Sequence, residues 1–186
     1  MPDSFGDPLR RRLAVVAAST SLAALTRVLP VCLRAARAAA LAGWDVWTHP
    51  APGLDELVAA EALAQGGTIT VALPEDLPPS HWVRLLRVIY GRSIRLISCA
   101  EQMELAWDRM ARVHYRGVLP APLPLLAVPH AIVEGATLAM LMPPPSTPDP
   151  VIEHAAWLCR LLNVPAFDVT TVTGIVALHE ALPKEE

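Results

Sequence analysis

At 186 residues the chain has room for one domain of ordinary size, able to bury about 70% of its unfolded surface without disulfide staples. Hydrophobic residues make up 53% of it and charged residues 18%, a balance that excludes a disordered chain. The net charge of −3 carries no sign of a nucleic-acid binder. The three cysteines, Cys32, Cys99 and Cys159, lie far apart without CxxC spacing, which excludes a zinc ribbon or disulfide framework and fits a reducing, cytoplasmic setting.

Residues 1–12 read as a flexible arm. Arg10-Arg11-Arg12 before the apolar stretch Leu13–Leu25 imitates a secretory leader, but Ser19, Thr20 and Ser21 interrupt it. The stretch reads instead as a first strand, Leu13–Ala18, followed by a turn. A helix then reaches Ala42, where Gly43 stops it. Pro30 either kinks one long helix or opens a helix from Pro30 to Ala42, and the second is preferred because proline suits a first helical position. The second strand is Trp44–Thr48, ending in His49-Pro50-Ala51-Pro52-Gly53. A helix over 54–65 follows, then Gly66-Gly67 and a third strand, Thr68–Leu73. Strand, loop, helix and strand in about thirty residues have the length of one βαβ unit.

After a loop over 74–79, Pro78-Pro79 starts a helix with Trp82, Leu85, Leu86 and Ile89 on one face and Arg84 and Arg87 on the other. The fourth strand is Ile94–Cys99, and a helix over 101–114 follows. Residues 117–135 carry Pro120, Pro122, Pro124 and Pro129, so they read as a connection with a short strand at Leu125–Val128. A fifth strand at Thr137–Met142 leads into a proline-rich loop. Asp149-Pro150 then caps and opens a helix over 151–162, and a last strand at Ala166–Thr170 follows. Residues 175–186 are left as a tail with room for a short helix. The fold class is therefore α/β: a Rossmann-like three-layer domain over 13–174, with a mostly parallel sheet of about six strands flanked by helices.

Ligands of such sheets sit outside the carboxyl ends of the strands. Ser19 and Thr20 there have hydroxyl and N–H groups suited to a phosphate, or are simple turn and cap residues. His49 is a phosphate donor or acid/base, or a bare loop histidine. Asp55 binds a sugar hydroxyl or complements the helix dipole. Glu75-Asp76 is a carboxylate pair without a visible partner base. GxGxxG, a P-loop, GxSxG and HExxH are all absent, and the six histidines show no metal-ligand spacing. No catalytic residue, metal or cofactor is expected from the residues.

Gly43-Trp44-Asp45-Val46-Trp47, Gly53-Leu54-Asp55 and Ala62-Leu63-Ala64-Gln65-Gly66-Gly67-Thr68-Ile69-Thr70-Val71 together resemble the core of the DNA-processing protein A (DprA/Smf) family. That family runs from a strand into a small-residue loop, a Gly-Ile-Asp helix start, an Ala-Leu helix end, Gly-Gly and a Thr-Ile-Ala-Val strand. The match covers about thirty residues as motif and most of the chain as architecture. It implies a homodimeric binding protein, not an enzyme, which holds a nucleotide, a nucleotide-derived signal or single-stranded nucleic acid. The ligand-binding candidates at the strand ends are Ser19, Thr20, His49, Gly53, Asp55 and Glu75.

The departures fall on the phosphate-gripping positions. The family's Gly-Ser-Arg is here Ala18-Ser19-Thr20, its Ser-Gly loop is Thr48-His49-Pro50, its helix histidine falls at Ala59, and prolines replace its late Ser-Gly loop. The PGGxGTxxE motif of a related phosphoribohydrolase group is absent. Two further readings stand beside the leading one: an N-glycosidic hydrolase or transferase using Glu75 or Asp55, and a degenerate module that binds a protein partner.

Overall fold

A computed structural model describes residues 11–17, 22–74, 78–99, 114–119, 121, 123–144 and 148–184. Six parallel strands form one sheet: β1 (Arg12–Ala17), β2 (Asp45–Thr48), β3 (Thr68–Leu73), β4 (Ile94–Ser98), β5 (Leu138–Met142) and β6 (Ala166–Asp168). Their order across the sheet is β4-β3-β2-β1-β5-β6. Among the described residues six α-helices flank it: α1 (Leu22–Leu41), α2 (Leu54–Ala64), α3 (His81–Tyr90), α4 (Leu123–Val133), α5 (Pro150–Leu161) and α6 (Val172–Ala181). No helix among these residues is long and apolar enough to cross a membrane.

The strands read as unbroken apolar runs because both of their faces are covered. On β1, Leu13 and Val15 point into one core layer while Ala14 and Val16 point into the other, and all four are buried. The first layer holds α1, α2 and α3, together with Leu178 of α6; the second holds α4 and α5. Small residues let the first layer close up. A Cβ on Gly67 would stand 2.7 Å from the Ala40 Cβ and 2.8 Å from the Ala62 carbonyl oxygen, so only glycine fits where α1, α2 and β3 meet. One buried thiol lies in the first layer, Cys32, and two in the second, Cys99 and Cys159. Burial pushes the first two up to about 12 and Cys159 up to about 11.

Three expectations change. Helix α1 runs unbroken from Leu22 through Pro30 to Leu41. The ring sits on the exposed side, where a carbonyl deprived of its N–H partner can turn to water. The segment read as a connection with a strand at Leu125–Val128 is the helix α4, with Pro129 inside it. Residues 126–133 are all buried there, and packing against the sheet outweighs the cost of the proline. Packed structure also continues past 174, since Leu178 of α6 is wholly buried in the core. The helix read over 101–114 lies outside the described residues except at its end.

At the amino-terminal edge of the sheet, Asp45 is 1% exposed and accepts from Thr68 Oγ1 (3.0 Å), Thr70 Oγ1 (3.1 Å), Trp47 Nε1 (2.8 Å) and the Arg95 guanidinium. Four donors around one buried carboxylate tie β2, β3 and β4 together.

Candidate functional site at the strand ends

Strands β2, β3 and β4 are laid down to one side of β1, and β5 and β6 to the other. Connections therefore leave the carboxyl ends of β1 and β5 in opposite directions, which opens the crevice where sheets of this class hold ligands. The loop from β2 to α2 and the loop from β5 to α5 stand on its two sides.

On the β2 side the chain builds a compact polar cluster. Asp55, in the first turn of α2, is 1% exposed. Its Oδ1 accepts from the Thr48 hydroxyl and from the His49 backbone N–H (3.4 Å), and it stands 3.3 Å from His49 Nδ1. The six-residue gap between His49 and Asp55 closes because Gly53 turns the chain back, with φ +103° and ψ −119°, a conformation only glycine adopts readily. Trp82 of α3 fixes the same loop by donating its indole N–H to the Pro50 carbonyl (3.1 Å).

On the β5 side Asp149 caps α5. Its Oδ1 accepts from the N–H groups of Val151 (2.8 Å) and Ile152 (3.2 Å), and Pro150 has no N–H to offer. Burial is the largest single influence and opposes a charged His49, but the Asp55 carboxylate, through its charge and its hydrogen bond, and Asp149 together outweigh it, and the imidazole pKa is raised. Carboxylates on both sides of the crevice thus favour a protonated His49.

Of the residues expected here, the structure brings His49, Gly53 and Asp55 together; Ser19, Thr20 and Glu75 lie outside the described residues. Asp55 holds neighbours in place with the oxygen it presents to Thr48 and His49, which is a positioning role. Sequence reasoning missed Thr48 and Asp149 as partners of this histidine. The available signal was a polar strand end followed by an acid in the next helix's first turn. Among the described residues no group of three metal-ligating side chains gathers here or elsewhere.

A groove of about 860 Å³ lies elsewhere, between α1, α2 and α6, lined by Leu33, Arg34, Arg37, Glu61, His179 and Lys184 among others. Arg37 and Glu61 pair across it at 3.1 Å. Arg34, His179 and Lys184 are exposed, so no rigid polar constellation is built there.

No protein-family model and no curated protein sequence matches the chain. The fold has counterparts among solved structures. The X-ray structure of TM1055 superposes with a TM-score of 0.56 at 14% identity, covering 84% of this chain and 72% of that one. DNA processing protein A from Helicobacter pylori, studied for its single-stranded DNA binding mode, gives a TM-score of 0.54 at 14% identity over 85% of this chain. The chain spans 64% of that protein's length. The chain thus has the Rossmann-like fold of DNA processing protein A, as its Gly43–Val71 motif leads one to expect.

Proposed function

We propose that this is a DprA-like binding protein that seats a nucleotide-type ligand at the carboxyl ends of its strands, between His49 and Asp149. The ligand class is a nucleotide, a nucleotide-derived signal or a single-stranded nucleic acid, with a role in DNA processing or repair. The observation that carries the reading is the preorganised Thr48–His49–Asp55 cluster at the carboxyl end of β2, the strand next to the β1/β5 position where strand order reverses. A buried carboxylate that fixes a half-buried imidazole at a crevice is the kind of support a ligand-contacting group needs. The fold shared with DNA processing protein A, a protein studied for its single-stranded DNA binding, supports the ligand class.

The hydrolase reading gains nothing from Asp55, whose Oδ1 is already engaged by neighbouring donors. Chemical-shift mapping tests the proposal. Nucleosides, their 5′-monophosphates and a thymidine oligonucleotide are titrated into labelled protein, with resonances of 48–56 and 148–152 expected to move. Shifts confined to the groove between α1 and α6 would refute it.

A further inference from the structure

We propose that the outer face of α3 is a docking ridge for an acidic amphipathic helix of a partner protein. The surface is separate from the strand-end crevice and stands on its own observations. Helix α3 is pinned to the core by Trp82 and Val83, which are buried, and by Leu86 and Tyr90, which pack against the same layer. The Trp82 indole is also tied to the Pro50 carbonyl. These four side chains fall within one arc of about 100° around the helix.

The apolar arc continues beyond them. Leu85, Val88 and Ile89 extend it and are 52%, 84% and 62% exposed. Their i, i+3, i+4 spacing makes one row. Folding gains nothing from three branched aliphatic side chains left in water. Isolated exposed aliphatics are ordinary, but a contiguous row on one helix marks a contact surface.

The charge around the row selects the partner. Arg84 and Arg87 stand on its solvent side, and Arg92 follows in the single turn Gly91–Ser93; all three are exposed. Among the described residues none of the three forms an ion pair. Residues 78–99 contain no aspartate or glutamate, although the whole chain carries a net charge of −3. Uncompensated guanidinium groups beside aliphatic side chains are complementary to carboxylates beside aliphatic side chains.

Other occupants fit worse. A second copy of the chain, related by a twofold axis, would set these arginines against themselves. Lipid surfaces and single-stranded nucleic acids are usually gripped through exposed aromatic rings. Both such rings of α3, Trp82 and Tyr90, are engaged with the core. An acidic helix laid along α3 meets both requirements. Its own i, i+3, i+4 side chains pack between Leu85, Val88 and Ile89, and its flanking carboxylates reach the arginines, as rim charges do in paired helices. From Leu85 to Arg92 the ridge is about 10 Å long, so about two to three turns of a partner helix cover it.

The test uses a synthetic peptide of about 18 residues with leucines at i, i+3, i+4 and i+7 and glutamates between them, and a twin with lysine for every glutamate. Fluorescence anisotropy and chemical-shift mapping on the full chain should show the glutamate peptide binding in the micromolar range and moving the resonances of 84–92. It should bind about tenfold or more tightly than the lysine twin, and high salt should weaken it severalfold. Val88→Ser should weaken it about tenfold, and because Val88 is exposed the fold is retained, as thermal unfolding will verify. Arg84→Glu combined with Arg87→Glu should reverse the preference toward the lysine twin. Equal binding of the two peptides, a preference that the double variant leaves unchanged, or shifts confined to other surfaces would overturn the inference. So would vesicles of equal parts phosphatidylserine and phosphatidylcholine, or a thymidine oligonucleotide, that move the 84–92 resonances at lower concentration than the glutamate peptide. Self-association of the chain that Val88→Ser abolishes would overturn it as well.

Discussion

Acidification should unfold the second core layer through two buried histidines. His130 of α4 is 3% exposed and His154 of α5 is 1% exposed. Burial first, and then the neighbouring imidazole, lower each from 6.5 to about 4: His154 acts on His130, and His114 on His154. Glu134 Oε2 stands 3.3 Å from His130 Nε2, the Tyr115 hydroxyl is 2.9 Å from His154 Nδ1, and His114 stacks on Trp157 at 4.3 Å.

A folded pKa below the unfolded one means that the unfolded chain binds more protons between the two values. Stability is therefore complete above pH 6.5 and falls as pH drops toward 4, by about 3 kcal/mol for each histidine. Both together approach the whole stability of an ordinary domain, about 5–15 kcal/mol. Urea unfolding between pH 7 and pH 4.5 should show the loss, with close to two protons taken up on unfolding near pH 5. Most carboxylates titrate below this window, so the slope belongs to histidine. A stability that stays flat from pH 7 to pH 5, or imidazoles titrating near 6.5 in the folded protein, would refute the reasoning.

Other perturbations have defined outcomes. Asp55→Ala strips the acceptor from the Thr48 hydroxyl and the His49 N–H, so it should cost about 2–4 kcal/mol. It should also drop the His49 titration below 6.5, read by NMR, because burial is then opposed only by Asp149. In the intact protein the His49 contribution has the opposite sign to that of the core histidines: it is complete below pH 6.5 and is lost as pH rises through its raised pKa. Gly67→Ala should destabilise by about 1–3 kcal/mol in chemical denaturation, since the Ala62 carbonyl it meets is backbone. Asp45→Ala should cost about 3 kcal/mol by leaving donors from three strands unmatched, whereas Asp45→Leu combined with Arg95→Met should cost less.

The strands were legible because a parallel sheet buried on both faces imposes continuous apolar runs bounded by turn residues, as at Thr68–Leu73 between Gly67 and Pro74. Asp149-Pro150 was legible for a similarly local reason: an acceptor before a proline fits a helix start and little else. Helix α4 was not. A helix buried on nearly every side has no polar face to give it a period, so Leu126–Val133 looks like a strand interrupted by a proline. Pro30 misled for the converse reason, because an exposed proline can be absorbed by a helix that the sheet already holds down.

In the site, His49 and Asp55 were each visible, but their pairing was not. It depends on the Gly53 turn, and a one-dimensional reading has no way to show that the chain doubles back there. Asp149 is ninety-four residues beyond Asp55 in sequence, and only the strand order sets it across the same crevice.

The placement of the three thiols makes the protein its own gauge of partial opening. The thiolate is the reactive form of cysteine, and burial suppresses it at all three positions, so alkylation must wait for a layer to separate from the sheet. One sulfur reports on the side of α1 and two on the side of α4 and α5. Counting adducts by mass would therefore tell which slab lifts first.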